Sequence, residues 1–340
     1  MIPLTSTLCQ ATGWKKILTE AIRDPLELLN TVGVDPALLT VPVDLDSAFP
    51  LRVPRGYVAR MKRGDAHDPL LLQVLPLREE RATPPGFVLD PVGDGAATAE
   101  PGLLHKYHGR ALLVTTGACP VHCRYCFRRH FPYGEAHIGE PEWQRILDYL
   151  HQNPSIDELI LSGGDPLSLS NERLHGLGAR LQTVPHIKRL RIHTRAPIVL
   201  PERVDEGLLA WLKSLPWSTV VVVHCNHPNE VDADVTNALH ALRRAGVTLL
   251  NQSVLLRGIN DRAEILTALS ETLFEAGTLP YYLHLLDLVQ GAAHFDVEEC
   301  HARAIMDEVR RRLPGYLVPR LVREREGAPY KHLADTPRGD

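Results

Sequence analysis

Three cysteines, Cys119, Cys123 and Cys126, crowd into the run Cys-Pro-Val-His-Cys-Arg-Tyr-Cys, in a chain whose only other cysteines are Cys9, Cys225 and Cys300. Thiolates packed that closely are metal-ligand chemistry. A [4Fe–4S] cluster normally takes four protein sulfurs, so a three-cysteine loop leaves one iron free to chelate a small molecule. Two other readings stay open on these residues. A structural zinc site needs a fourth ligand, for which His122 and His130 stand close by in sequence. A trio of thiols buried by chance needs no metal at all.

Such a loop requires a rigid frame. At 340 residues the chain can bury one large core and a smaller accessory unit. The formal net charge of −4 gives no basic field of the kind that concentrates nucleic acid. No apolar stretch reaches the roughly 18 to 20 residues that cross a bilayer. The opening MIPLTSTLCQATGWKKILTEAIRDP lacks the basic, apolar, small-residue order of a secretory signal. A cytoplasmic protein with reduced, metal-available cysteines is therefore expected, with no nucleic-acid or membrane partner.

Residues 1–95 carry helical patterns at Trp14 to Ala21, Pro25 to Val32 and Val53 to Arg63, and predict a small helical region. The Gly-, Pro- and Ala-rich stretch 82–102 reads as its connector. From 96 to 314, short β-branched runs alternate with helix-length segments, the pattern of βα units around a parallel sheet. Strands are predicted near 111–116, 158–162, 188–194, 219–224, 247–253 and 281–286. Helices are predicted near 141–152, 171–182, 203–214, 232–245, 262–276 and 297–313, with Asn171 and Asp261 as examples of capping residues. Six units are too few to close an eight-stranded barrel, so the predicted fold is α/β, an open partial (β/α)6 TIM-type barrel. Residues 315–340 form a C-terminal segment.

Polar residues then fall at the carboxyl ends of the predicted strands, where barrel enzymes gather their catalytic groups. The cysteine loop follows the first, Ser162-Gly163-Gly164-Asp165 the second, and Thr194-Arg195 the third. His224 with Asn226 ends the fourth, Gln252 and Ser253 the fifth, and Asp287 the sixth. Each alone reads equally as a turn or capping residue.

The runs TTGACPVHCRYCFRRH (115–130), LSGGDPL (161–167), HTRAPIVLP (193–201), VVVHCNHPNE (221–230), YYLHLLDLVQGAAHF (281–295) and GYLVPRLVREREGAPYK (315–331) together resemble the lysine 2,3-aminomutase family of radical SAM enzymes. Within it, the chain is similar to the shorter bacterial branch linked to elongation factor P (EF-P). The resemblance implies that the cysteines hold a [4Fe–4S] cluster whose electron cleaves S-adenosylmethionine (SAM) to a 5′-deoxyadenosyl radical. It implies also that pyridoxal 5′-phosphate (PLP) captures L-lysine, whose amino group moves from carbon 2 to carbon 3, and that an external electron donor reduces the cluster.

Matched residue by residue, the resemblance makes Lys331 the lysine that carries PLP, and Lys106 and Arg110 the cations that hold its phosphate. Lys106 stands where longer members have an arginine, keeping the charge without the fork. Arg128 would grip the substrate carboxylate, a contact that suits a planar guanidinium. Asp287 would neutralise the distal ammonium together with Glu324, which replaces the family's aspartate. Ser162, Gly163, Gly164, Asp165, His224 and Gln252 match SAM contacts. The branch further implies a functional link to EF-P and its lysine ligase, and the family often assembles as homo-oligomers. Two other functions remain open: an aminomutase for another amino acid such as glutamate, and a non-catalytic, zinc-stabilised binding protein of the translation apparatus.

Overall fold

A computed structural model of the chain describes residues 13–334. Cys9 lies outside them. The frame is one ten-stranded sheet whose strands follow one another in chain order. Its strands are β1 (Thr98–Glu100), β2 (Leu103–Tyr107), β3 (Arg110–Thr116), β4 (Glu158–Gly163), β5 (Arg189–Thr194), β6 (Ser218–His224), β7 (Thr248–Val254), β8 (Leu279–His284), β9 (Arg320–Arg323) and β10 (His332–Leu333). Neighbours from β3 through β9 are parallel, whereas β1, β2 and β10 join antiparallel at the two edges. A sheet that always advances in one direction has its helices on one face and is a singly wound, open barrel. The six expected strands and the open partial barrel are therefore present.

Helices Glu140–Gln152, Asn171–Leu181, Glu206–Ser214, Ala233–Arg244, Ala263–Glu275 and Glu299–Arg312 return the chain after β3 to β8. Alternation along the strands decides what each face does. Leu159, Leu161, Leu190, Ile192, Val221, Val223 and Leu249 point outward and bury under helix residues such as Ile146, Leu174, Trp211 and Leu239. The register places Ser162, His193, Val222, His224, Gln252, Tyr282 and His284 in the other set, which faces the barrel's interior.

Local signals shift some helix starts. Ser170, not Asn171, caps Asn171–Leu181, its hydroxyl accepting from the Arg173 amide at 3.4 Å. Asn171 reaches across to Asp205 instead. Asp261 is also not a cap, because Ala263–Glu275 begins after Arg262 without a side-chain acceptor. Asp205 and Asp232 cap the helices that follow them.

The amino-terminal region is made of short helices closed around Leu28, Leu29, Val53, Tyr57, Leu70 and Leu71, and it joins the barrel through Val121, Val199 and Leu200. The helix expected over Val53–Arg63 shrinks to Arg55–Val58. Val53 is held extended by a two-way backbone bridge to Ile22, and Pro54, which has no amide proton, then caps the turn. The stretch 82–102 is more than a connector. Its Val88 bridges to Val289 beyond β8, so the chain crosses the mouth of the barrel as a strap before entering β1. Strands β9 and β10, in the segment that carries Lys331, extend the same sheet.

Candidate active site

The cysteine loop leaves the carboxyl end of β3 and is fastened from below by buried charge. Arg124 donates through Nε to Glu80 at 2.8 Å and through Nη1 to the Phe49 carbonyl at 2.7 Å. The same Glu80 accepts from Arg129 at 2.6 Å, and Arg129 also reaches the Gly291 carbonyl at 2.9 Å. One carboxylate thus clasps arginines on both sides of Cys126. Arg195, buried at the end of β5, donates to the Cys123 sulfur at 2.6 Å and to Gln73 and Glu230, each at 2.8 Å.

All three loop cysteines are half-buried free thiols. Burial pushes Cys119 up, and Asp165 and the other two cysteines add to it. Burial and the neighbouring Cys123 push Cys126 up to about 11. Thiols that resist ionising beside one another fit a metal-bearing group, because coordination deprotonates a thiol outright. His122 Nδ1 lies 2.8 Å from the Pro50 carbonyl and His130 Nε2 lies 3.1 Å from that of Gln290, contacts that leave each ring its other nitrogen. Among the described residues, no three His, Cys, Asp or Glu side chains gather as tightly as a single ion needs.

Beside the loop, the turn after β4 is built for close approach. A Cβ on Gly163, whose φ is +121°, would stand 2.7 Å from the Thr116 carbonyl oxygen, and one on Gly164 only 2.4 Å from that of Ala118. Only glycine lets the two strand ends touch. Asp165 then pins the turn to β5, accepting from the Leu167, Arg195 and Ala196 amides and from the Thr194 hydroxyl at 2.7 to 3.0 Å. Its carboxylate is fully engaged, so it shapes this wall by fixing backbone. The Gly163 carbonyl accepts from the Tyr133 hydroxyl at 3.0 Å.

Deeper in the barrel, the Gln252 amide meets His224 Nε2 at 2.6 Å. Burial, helped by Arg195 and Arg128, lowers His224 to about 3, so the ring is neutral. His193 and His284 are lowered in the same direction, first by burial. Their Nε2 atoms are buried with no hydrogen-bond partner in the protein. Orphaned nitrogens on the interior face fit a polar ligand standing against them. Arg110, stacked over the Tyr107 ring at 4.5 Å, likewise has its guanidinium available.

The remaining charges form one chain. Lys331, held on the loop before β10, is hydrogen-bonded to Glu324, and Glu324 also takes Lys106 at 3.2 Å. Lys106 bonds Asp94 and the Val92 carbonyl, each at 2.7 Å, and Asp94 bonds Arg128 Nε at 2.7 Å. Burial opposes ionisation of Glu324, but Lys331 and Lys106 outweigh it and hold the carboxyl at about 2. Asp287 has no such escort. Burial and then the Glu324 charge push it up to about 7, which Lys331 and Lys106 only partly oppose.

Lys331, Lys106, Glu324, Asp287, Arg128 and Ser162 thus share one interior, with Arg128 Nη1 donating to the Ser162 hydroxyl at 3.0 Å. Asn226 and Ser253 do not belong to it. They spend their polar atoms joining strand ends, Asn226 to the Val254 amide and Ser253 to the Cys225 carbonyl. Sequence reasoning missed Glu80 and Asp94, and missed His193 and His284 as interior groups. The alternation of β5 and β8 could have flagged the histidines. Beyond Arg128 and Asp94 a cavity of about 580 Å³ opens between the strap and the cysteine loop, lined by Leu89, Leu104, Phe127 and Phe131 among others.

Comparison with known proteins agrees with this geometry. Residues 113–269 match the family model described as the radical SAM superfamily. The chain is similar to the L-lysine 2,3-aminomutase of Escherichia coli strain K12, 49% identical over 323 residues that cover 95% of this chain and 94% of that protein. The L-lysine 2,3-aminomutase of Haemophilus influenzae is 43% identical over 333 residues, covering 98% of both. That of Clostridium subterminale is 35% identical over 275 residues, 80% of this chain and 65% of the other.

Proposed function

This chain belongs to the lysine 2,3-aminomutase family of radical SAM proteins, and from that premise we propose that it converts L-lysine to β-lysine by moving the amino group from carbon 2 to carbon 3. Its cofactors are a [4Fe–4S] cluster, SAM and PLP. When bound, they supply a hydrogen-abstracting carbon radical and a conjugated ring that steadies the migrating nitrogen.

The protein's own share is binding and positioning. Cys119, Cys123 and Cys126 would hold the cluster, and the Gly163-Gly164 turn would give SAM an approach that a side chain would block. His224, kept neutral, and Gln252 would present hydrogen bonds without charge. Lys331 would carry PLP, with Lys106 and Arg110 near its phosphate. Arg128 would take the substrate carboxylate, its fork already held at Nε and Nη1. Asp287 and Glu324 would receive the side-chain ammonium, and the observation that carries the substrate reading is this pair. Two buried carboxylates, one already raised by the other, attract an added cation and repel an anionic side chain such as that of glutamate.

Supply of β-lysine for the modification of EF-P, through its ligase, is the cellular role we propose, on the strength of the length and sequence shared with the shorter relatives. No helix among the described residues is long and apolar enough to cross a membrane. The test is direct: anaerobically reconstituted, reduced protein with full iron and PLP occupancy is incubated with L-lysine and SAM. β-Lysine is the expected product, and its absence refutes the assignment.

A further inference from the structure

Arg128 and Lys106 come from different parts of the fold, yet both end on one carboxylate that neither the family resemblance nor the comparisons mention. Asp94 sits in the strap, is 2% exposed, and places one oxygen 2.7 Å from Arg128 Nε and the other 2.7 Å from Lys106 Nζ. Its own position is set locally: Asp90 accepts from the amides of Asp94 and Gly95 at 3.0 and 2.9 Å. The strap in turn is bonded to Leu288 and Gln290 through Val88.

The guanidinium of Arg128 has two usable edges. Asp94 occupies Nε, and Ser162 accepts one proton of Nη1, which fixes the plane of the fork and leaves the second Nη1 proton and both Nη2 protons, an edge of two nitrogens, without a hydrogen-bond partner among the described residues. Arg128 and Asp94 both line the 580 Å³ cavity. We propose that Asp94 is a positioning residue for substrate: it aims Arg128 at the carboxylate of the incoming amino acid, with Lys106 keeping Asp94 itself in place. The proposal rests on the aminomutase reading for the identity of that carboxylate.

Two effects of removing the Asp94 charge oppose each other. The site gains net positive charge, which draws any anion; the fork loses its orienting partner, which spoils the two-pronged geometry. Orientation governs here, because a bidentate contact depends on the plane of the fork and a single misaligned edge forfeits one of its two bonds.

The test uses the full chain, reconstituted with iron, sulfide and PLP, as wild type, Asp94→Asn and Asp94→Glu. Expected for Asp94→Asn is a KM for L-lysine raised roughly ten-fold with kcat within about two-fold, as loss of uniform substrate binding requires. Iron content and PLP absorbance should stay at wild-type values, since Lys106 retains Glu324 and the Val92 carbonyl, whereas the melting temperature should fall because buried Arg128 loses its carboxylate. Asp94→Glu restores the charge and should recover most of the KM. An unchanged KM in Asp94→Asn overturns the proposal. So does loss of iron or of cooperative melting in both variants, which makes Asp94 a fastening of the strap and nothing more. Wild-type turnover separates the two levels: no β-lysine from wild type removes the aminomutase reading and this proposal with it, whereas normal wild-type turnover with an unmoved KM removes only the role of Asp94.

Discussion

Asp287 gives the site a pH dependence that can be worked out in advance. In the free protein its carboxyl is held near pH 7, by burial first and by Glu324 second. Glu324, at about 2, is ionised throughout the neutral range. Lysine brings an ammonium whose ordinary pKa is about 10.4, so it arrives charged and favours the ionised form of Asp287. Binding therefore expels a proton from Asp287 whenever the pH lies below about 7. The sign follows: raising the pH through 7 strengthens binding, and above about 8 nothing further is gained on this account. At pH 6 the deprotonation costs about 1.4 kcal/mol, so kcat/KM should be about ten-fold below its plateau, whereas at pH 8 it should be within roughly 10% of it. His224, at about 3, and His193 and His284, also lowered by burial, are neutral across this window and contribute no inflection. Asp287→Asn should abolish the inflection and, by leaving a buried ammonium short of a partner, lower the plateau by about 3 kcal/mol, or some hundred-fold. The assay is initial-rate formation of β-lysine at limiting lysine from pH 6 to 8. A flat wild-type profile, or an inflection that survives in Asp287→Asn, refutes the reasoning.

Other outcomes test separate parts of the structure. Gly164→Ala drives a Cβ to 2.4 Å from the Ala118 carbonyl, a backbone atom that cannot rotate away, so the cysteine loop should move; a loss of at least about 2 kcal/mol in stability and a fall in bound iron are expected from denaturation and iron analysis. Lys331→Ala should remove the visible PLP band and leave the iron chromophore, since Lys331 touches Glu324 and none of the loop cysteines. Cys126→Ser should do the reverse, losing the iron chromophore while PLP binding persists.

The barrel is legible in the sequence because its signals are local. β-Branched runs such as Thr219–Val223 and the helix-length segments between them are set by neighbours two to four residues away, and the six predicted strands end within a few residues of the observed ones. The edges are less so. Strand β2 carries no clean alternation, and only the turn at Gly109, with φ +77°, marks its hairpin with β3. Strand β10 has two residues and exists because it pairs with β9. The helix over Val53–Arg63 fails for a similar reason: a bridge to Ile22, distant in sequence, decides the conformation of Val53.

The site divides along the same line. The cysteines and the Gly-Gly turn announce themselves by spacing, but Glu80 and Asp94 are ordinary acidic residues until the fold brings Arg124, 44 positions on, and Arg128, 34 positions on, against them. Their placement explains how an interior with this much charge stays folded. From Arg128 through Asp94, Lys106 and Glu324 to Lys331, cation and anion alternate, so each buried charge has an opposite neighbour and the desolvation of one is offset by the next. Asp287 stands at the end of that chain as the extra carboxylate, and it answers by holding its proton. A ligand that brings one ammonium and one carboxylate inserts without upsetting the balance: the ammonium supplies the cation that Asp287 lacks, and the carboxylate meets the free edge of Arg128. A ligand with a second carboxylate in place of the ammonium would put three anionic groups together with no added cation. On this reasoning, selectivity for a diamino acid is written into the count of charges in the barrel as much as into the shape of the site.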